Sequence, residues 1–169
     1  MNIIVCGCTG SGKSTAIKRI LSGCKEPVYG FWTEKLAAVP LTGNAPVYIH
    51  GCCEQLSFAP DHQIGSCKDR CAEKRPEIFD TTGIALLENI PAGSLVLLDE
   101  IGVMESKAQR FIVRLHELLD GDYRVIAAVR DRSTPLLDAI RGHEKSLCVT
   151  AQEANTPEFA DRAKRELGI

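Results

Sequence analysis

The pattern of apolar and polar positions predicts strands and helices that alternate along most of the chain. Continuous apolar runs, typical of strands buried on both faces, occur at residues 2–6, 94–98, 123–129 and 146–149. Helical spacing or capping predicts helices at residues 13–21, 80–90 and 106–119, the second capped by Asp80 with Thr81, and helices that begin at Thr134-Pro135 and Thr156-Pro157. This alternation favours an α/β fold with a mostly parallel sheet, helices on both faces, and ligands beyond the carboxyl ends of the strands.

The middle third of the chain has a weaker pattern. Residues 28–35 are rich in β-branched and aromatic side chains, and residues 47–50 and 55–59 are two shorter strand candidates. Glycines and prolines between them indicate hairpin turns. Residues 66–76 carry six charged side chains, and we interpret them as a solvated face or loop, with RNA contact as the alternative.

Length and composition narrow the class of protein. A chain of 169 residues has the usual length of one domain, so we expect a single domain over residues 1–169. The hydrophobic fraction of 44% excludes a disordered chain, and a net charge of -2 gives no general attraction to nucleic acid or anionic membrane. No apolar run approaches the roughly 18 residues of a membrane-spanning helix, so we expect a cytoplasmic protein.

Eight cysteines leave two interpretations open. In a reducing compartment they act as small, partly buried hydrophobic residues. The alternative is a zinc site, whose candidate ligands are His50, Cys52, Cys53, Cys67 and Cys71. The spacing disfavours zinc, because adjacent Cys52 and Cys53 in a strand would point to opposite faces. If residues 67–71 were helical, Cys67 and Cys71 would be neighbours on one face.

The first chemical motif is a glycine-rich loop between a predicted strand and a predicted helix. Residues 7–14 match G-x-x-x-x-G-K-[ST], the Walker A pattern, at every fixed position. Backbone N–H groups of such a loop point at phosphate oxygens, and the helix dipole favours the same negative charge. We expect Lys13 to reach the β- and γ-phosphates and Ser14 to bind Mg²⁺. The predicted nucleotide-binding residues of this segment are Gly7, Cys8, Thr9, Gly10, Ser11, Gly12, Lys13, Ser14 and Thr15.

A second acidic motif follows the apolar strand predicted at residues 94–98. Asp99 and Glu100 come directly after this strand, where the architecture places the ligand. We interpret Asp99 as the Walker B residue that holds Mg²⁺ through a water molecule, and Glu100 as the base that activates a water for attack on the γ-phosphate. The alternative is that both are solvated charges at a strand end.

Arg130 follows another predicted strand, and its guanidinium is a candidate to stabilise charge on the γ-phosphate. The alternative is a surface ion-pair cluster with Asp131 and Arg132. Three aromatic residues of the second strand, Tyr29, Phe31 and Trp32, are either core residues or a stacking platform for a nucleobase.

Three segments together resemble a known family. They are the phosphate loop, Gly30-Phe31-Trp32-Thr33-Glu34, and Leu98-Asp99-Glu100-Ile101-Gly102-Val103-Met104-Glu105. These residues are similar to the small nucleoside-triphosphatases of thermophiles and the cancer-related nucleoside-triphosphatase. The resemblance implies a RecA-like P-loop fold, Mg²⁺-dependent hydrolysis of several nucleoside triphosphates, and residues Ile101, Gly102 and onward to Glu105 beside the nucleotide. Lys35-Leu36-Ala37-Ala38 and the cysteine-rich stretch after it depart from the family pattern, so substrate or partner choice is expected to differ there.

The predicted function is therefore hydrolysis of ATP, GTP and other nucleoside triphosphates to the diphosphate and phosphate, with Mg²⁺ as cofactor and Glu100, Lys13 and Arg130 as catalytic residues. The alternatives are a P-loop kinase, or a nucleotide-dependent switch that binds RNA through residues 68–75. No arginine-rich lid follows the acidic strand, which disfavours a kinase. No Asn-Lys-x-Asp string is present, so the sequence favours broad base tolerance over guanine specificity.

Overall fold

The computed structural model describes the backbone of residues 1–68 and 71–169, and the side chains of residues 1–68 and 73–169. Within these residues, eight strands form one sheet in the order β5-β4-β3-β2-β6-β7-β1-β8. The strand bounds are β1 (Asn2–Gly7), β2 (Val28–Lys35), β3 (Ala45–Gly51), β4 (Gln63–Lys68), β5 (Cys71–Lys74), β6 (Leu95–Ile101), β7 (Arg124–Arg130) and β8 (Ser146–Thr150).

The sheet has a parallel half and an antiparallel half that share β2. The parallel half contains β2, β6, β7, β1 and β8, all paired in parallel. The antiparallel half is a meander in which β3 pairs with β2, β4 with β3, and β5 with β4. A mostly parallel sheet is therefore confirmed, and hairpin connections account for the middle third of the chain.

Helices cover both faces of the parallel half. Their bounds are α1 (Lys13–Leu21), α2 (Pro76–Ile78) continued by a π-helical segment (Phe79–Gly83), α3 (Gln109–Asp120), α4 (Pro135–Arg141), α5 (Ala151–Ala154) and α6 (Pro157–Leu167). Successive residues of β1 enter different cores, as alternation along a strand requires. Ile4 packs into the core beneath α3 and α4, whereas Ile3 and Val5 pack beneath α1 and α6.

The predicted elements of the parallel half are confirmed with small shifts at their ends. Residues 13–21 form α1 and residues 28–35 form β2, with the predicted bounds. Thr134 and Thr156 cap α4 and α6 as predicted, because each hydroxyl accepts a hydrogen bond from the amide three residues later.

The helix predicted from Asp80 through Ile90 is wrong at both ends, since the helical backbone stops at Ala85. The helical segment begins earlier, at Pro76, and the Thr81 hydroxyl donates to Glu77 O at 2.8 Å from inside that turn. The Asp80 carboxylate accepts the Phe111 amide at 2.9 Å. Asp80 therefore caps α3 across the fold, a partner that no local sequence pattern reveals.

Two further predictions in the antiparallel half are wrong. Residues 55–59 form no strand. Residues 66–76, interpreted as a solvated face or loop, contain the end of β4 and all of β5, so the loop interpretation is wrong, whereas the exposed side chains of Lys68, Glu73 and Lys74 agree with a solvated face. Lys68 pairs with Cys71 and Cys67 with Ala72, so these cysteines belong to a hairpin instead of one helical face. Asp69 and Arg70 lie outside the described residues.

Candidate functional site

The phosphate loop joins β1 to α1 at the carboxyl end of the central strands. Gly10 and Gly12 adopt positive φ values of 78° and 92°, which residues with a side chain rarely adopt. A Cβ atom at Gly7 would lie 2.3 Å from Ser11 Oγ, so a larger residue there would displace the Ser11 side chain from the loop. Ser11 Oγ is buried and has no hydrogen-bond partner among the described residues. A buried hydroxyl without a partner fits a loop in which a bound ligand supplies the missing hydrogen bond.

Lys13 is a buried cation inside this loop. Its side chain is 4% exposed, and its Nζ donates to Gly7 O and Cys8 O at 2.9 Å each. The same Nζ lies 3.4 Å from Glu100 Oε1. The lysine therefore connects the loop carbonyls to a carboxylate from another strand.

Ser14 and Asp99 bring together two hard oxygen donors. Ser14 Oγ donates to Asp99 Oδ1 at 3.1 Å, although the residues are 85 positions apart in the chain. Burial raises the pKa of Asp99, and the Ser14 hydrogen bond partly offsets this by favouring the ionised form. A hydroxyl beside a single carboxylate fits Mg²⁺, which takes few protein ligands and keeps several waters.

Glu100 is displaced from the regular strand pairing of β6. Asp99 pairs with Ala128 and Ile101 pairs with Val129, so Glu100 is an extra residue between two paired positions. Such a bulge re-aims a side chain. Glu100 Oε1 accepts Arg130 Nε at 2.8 Å and is the same oxygen that faces Lys13.

The predicted alternative for Arg130, an ion pair with its neighbours Asp131 and Arg132, is not what the structure shows. Arg130 pairs with Glu100 across two strands, and the Arg141 guanidinium donates to the backbone oxygen of Arg130 at 2.9 Å. Asp131 and Arg132 are exposed. The structure thus brings Lys13, Glu100 and Arg130 into one connected group.

A cavity of about 150 Å³ opens beside this group. The residues that line it include Glu100 and Arg130, Thr9 of the phosphate loop, and Thr33 and Lys35 of β2. A separate cavity of about 450 Å³ lies on the other side of Asp99, bounded by α1 and the Trp32 side chain. The phosphate loop therefore lies between two cavities of different lining.

The role of Glu105 in this site was not predicted, because the family resemblance implies only that Ile101 to Glu105 lie beside the nucleotide. Its side chain is buried in the wall of the smaller cavity, and its carboxylate accepts the Gly102 amide. Burial raises the pKa of Glu105 to about 7. A Cβ atom at Gly102 would lie 3.0 Å from Arg130 Cδ, so the turn held by Glu105 packs directly against Arg130.

Asn155 was also missed. Its Nδ2 donates to Gly12 O at 3.0 Å and to Ala151 O at 2.8 Å, which ties the loop to the segment after β8. The signal available in sequence is weak, because an asparagine after a short helix usually indicates only a helix end. Asn155 acts through a contact between segments 143 positions apart, whereas Glu105 holds a local turn that packs against Arg130.

The aromatic residues of β2 have different environments. Phe31 is 1% exposed and packs against Phe111 with ring centroids 5.6 Å apart, so it is a core residue. Trp32 lines the larger cavity and packs against His50 at 4.7 Å. Tyr29 packs against the core beneath α3.

The candidate zinc ligands do not converge among the described side chains. In residues 1–68 and 73–169, no three His, Cys, Asp or Glu side chains are close enough to hold a metal ion. Cys53 Sγ donates to Val28 O at 3.1 Å, and Cys67 lines the smaller cavity. The side chain of Cys71 lies outside the described residues. Across the described helices, none is long and apolar enough to cross a membrane.

Comparison with known proteins agrees with this arrangement. The family model NTPase_1, described as NTPase, matches residues 64–162, a range that contains Asp99, Glu100 and Arg130. The chain is 24% identical over 165 residues to the nucleoside-triphosphatase THEP1 of Thermotoga maritima, covering 92% of this chain and 88% of the relative. It is 26% identical over 155 residues to THEP1 of Aquifex aeolicus, covering 83% of this chain and 84% of that one.

Two solved structures share the fold along almost the whole chain. THEP1 from Aquifex aeolicus superposes with a TM-score of 0.68 at 23% identity, covering 99% of this chain and 96% of that one. The human cancer-related nucleoside triphosphatase superposes with a TM-score of 0.63 at 18% identity, covering 99% and 95%. These likenesses confirm the α/β, RecA-like P-loop fold. The match of the family model to more than half of the chain shows that the protein belongs to the small P-loop NTPase family.

Proposed function

We propose that the protein is a Mg²⁺-dependent nucleoside-triphosphatase that converts a nucleoside triphosphate and water to the diphosphate and inorganic phosphate. The observation that carries the proposal is the position of Glu100 Oε1, 3.4 Å from Lys13 Nζ and 2.8 Å from Arg130 Nε. A carboxylate placed between the phosphate-loop lysine and an arginine is suited to act beside a γ-phosphate. The names of the THEP1 relatives support the same activity.

Lys13 and the loop amides bind the phosphates in this proposal. Lys13 is held in the loop by two carbonyls and Glu100, so little reorganisation is needed when phosphate oxygens replace part of that set. Arg130 approaches from β7, where its guanidinium stabilises negative charge that builds on the γ-phosphate.

Glu100 acts as the general base. With Lys13 engaged by phosphate, the Glu100 carboxylate keeps Arg130 as its partner and accepts a proton from a water in the smaller cavity. The water oxygen forms a bond to the γ-phosphorus as the bond from that phosphorus to the diphosphate oxygen breaks, and the proton remains on Glu100. Separate residues therefore bind phosphate, take the proton and stabilise charge.

Ser14 and Asp99 would hold Mg²⁺, whose contribution when bound is to neutralise charge on the β- and γ-phosphates. Their 3.1 Å contact supports this assignment. The buried Asp99 carboxylate has a raised pKa, and a bound cation would favour its ionised form.

Broad base tolerance is part of the proposal. The phosphate loop recognises phosphate through backbone amides, which carry no information about the base. Thr15, Ile101 and Gly102 remain proposed nucleotide neighbours, and Ile101 and Gly102 are buried beside the catalytic group, where they shape its surroundings. Neither Ile101 nor Gly102 has a polar side chain with which to select one base.

A kinase is the second candidate, favoured by the 450 Å³ cavity beside Ser14 and Asp99, which is large enough for a small acceptor molecule. Its wall includes Trp32, a residue suited to stack on a planar group. A kinase would bind Mg²⁺-nucleotide but release little phosphate until an acceptor is supplied.

The test is release of inorganic phosphate from ATP, GTP, CTP and UTP, with Mg²⁺ or with EDTA, and without any acceptor. We expect similar release from the four nucleotides and none with EDTA. Lys13→Ala protein purified in parallel is the control for contaminating phosphatases. Tight nucleotide binding without release would contradict hydrolysis and favour the kinase, and release from a single base would contradict broad tolerance.

A further inference from the structure

Two cysteines outside the proposed reaction lie in contact beneath the phosphate loop. Cys6 directly precedes Gly7 in β1, and Cys148 lies in the middle of the edge strand β8. Cys6 pairs with Thr150 and Ile4 pairs with Cys148, so the two cysteines point to the same face of the sheet. Their Sγ atoms are 3.0 Å apart, and both are free thiols.

The two thiols differ in access. Cys148 is exposed, whereas Cys6 is half-buried against the core beneath α4. Burial and the neighbouring Cys148 thiol raise the pKa of Cys6 to about 12, and the charge of Arg141 opposes this only in part. Cys148 is therefore the thiol that meets a reagent from solvent, and Cys6 is the thiol that reacts second.

We propose that Cys6 and Cys148 are a modification site that forms a reversible internal disulfide by exchange with a low-molecular-weight disulfide such as oxidised glutathione. The Cys148 thiolate attacks one sulfur of the reagent, which forms a mixed disulfide and releases one glutathione thiolate. Cys6 then attacks the Cys148 sulfur, loses its proton to solvent and releases the second glutathione. The two protein thiols are oxidised, and the reagent disulfide is reduced to two thiols.

The fold is arranged for this second step. A disulfide bond is about 2.05 Å long, so the two sulfurs need to approach by only about 1 Å. Both cysteines lie on strands that already pair from Asn2 with Ser146 to Cys6 with Thr150, so the backbones are held side by side before any reaction. Cys6 is therefore in position to attack the mixed disulfide before a second thiol from solution does.

The bond would join residues 142 positions apart in the chain. It would fix the edge strand β8 to the strand that carries the phosphate loop. The segment after β8 contains Asn155, which donates to Gly12 O, so the same bond would restrain a second support of the loop. This inference does not depend on the proposed hydrolysis, because it uses residues with no part in that reaction.

The experiment treats the full chain with oxidised glutathione, blocks the remaining thiols with iodoacetamide, and maps tryptic peptides by mass spectrometry. We expect residues 1–13 and 146–162 to be joined, with loss of two hydrogens, and to separate after dithiothreitol. The first peptide contains both Cys6 and Cys8, so Cys8→Ser is the matched control that keeps the link. Cys6→Ser loses the link and retains glutathione on Cys148.

Two outcomes in the wild-type chain overturn the proposal without depending on the folding of a variant. They are the absence of the 1–13 to 146–162 link and a stable glutathione adduct on Cys148. A link that survives in Cys6→Ser also overturns it. A rise in Tm that dithiothreitol reverses, and that Cys148→Ser abolishes, is the expected second readout, because a closed loop restricts the unfolded chain. Neither readout uses nucleotide.

Discussion

The two halves of the sheet make different contributions to the candidate site. The parallel half presents the phosphate loop, Asp99, Glu100 and Arg130 at the carboxyl ends of β1, β6 and β7. The antiparallel half contributes Val47, Ile64 and Cys67 to the cavity wall and none of the charged groups that contact Glu100 among the described side chains. The difference indicates that the parallel half carries the chemistry and that the antiparallel half shapes the space in front of it.

The largest expected effect that separates the halves is loss of nucleotide binding in Lys13→Ala. This change removes a buried ammonium from the phosphate loop, and hydrogen bonds to charged groups contribute about 1.5–3 kcal/mol each, so we expect Kd to rise at least about 100-fold. Titration with a fluorescent nucleotide measures it. Lys25→Ala, which removes an exposed lysine just beyond α1, is the control and should bind normally.

Arg130→Ala is expected to reduce kcat by about 100-fold, because the loss of one preorganised donor to developing charge costs roughly that much. The substitution also removes the Nε partner of Glu100. Steady-state phosphate release gives kcat and KM separately, and we expect KM to change little. Arg130→Lys keeps the charge but not the Nε–H, so a kcat near that of the wild type in this variant would refute a role for the hydrogen bond.

Glu105→Gln is expected to change how stability depends on pH. The pKa of Glu105 is raised from 4.5 to about 7 in the fold, so as pH rises Glu105 ionises in the unfolded chain before it ionises in the native protein. The free energy of unfolding of the wild type therefore falls between about pH 4.5 and pH 7. Glutamine does not titrate and still accepts the Gly102 amide. The free energy of unfolding of the variant, relative to that of the wild type, should therefore rise by on the order of 2 kcal/mol between pH 4.5 and pH 8.

Urea unfolding at pH 4.5 and pH 8 measures the Glu105 effect. The control is Glu144→Gln, an exposed carboxylate whose removal should leave the pH dependence of unfolding as in the wild type. If the free energy of unfolding fell equally for the wild type and Glu105→Gln between pH 4.5 and pH 8, Glu105 would not have a raised pKa in the fold.

The smallest expected effect comes from the cavity wall shared with the antiparallel half. Lys35 ends β2 at the mouth of the smaller cavity, where its exposed charge attracts an anionic nucleotide. Lys35→Ala should raise KM by about two- to fivefold, since exposed charge pairs contribute about 0.2–1 kcal/mol, and should leave kcat nearly unchanged. Lys74→Ala in β5 is the control, and a large fall in kcat for Lys35→Ala would assign chemistry to this wall.

The sequence predicts the parallel half well because its strands are buried on both faces. Such strands appear as continuous apolar runs, and the helices between them have clear spacing and caps, as in Lys13–Leu21 and at Thr134. The Walker A spacing also determines which residues curl around phosphate, so Lys13 and Ser14 were identifiable without a structure.

The antiparallel half is harder to predict because its strands are short and partly exposed. β4 and β5 carry charged residues that are equally typical of a loop, and residues 55–59 do not pair as a strand, although Leu56 and Phe58 are apolar and exposed there. Asn155 was missed, and Glu105 was expected only beside the nucleotide, for a different reason. The contact of Asn155 with Gly12 and the packing of the Glu105 turn against Arg130 arise only in the folded chain.

The most direct test of the account is single-turnover phosphate release by Glu100→Gln beside nucleotide binding by the same protein. Glutamine keeps an oxygen that accepts Arg130 Nε but is a far weaker base, and general-base catalysis contributes about 10²–10⁴-fold. We predict a release rate reduced by that factor with Kd close to the wild-type value, and Glu144→Gln unchanged in both. Release at the wild-type rate by Glu100→Gln would contradict the account.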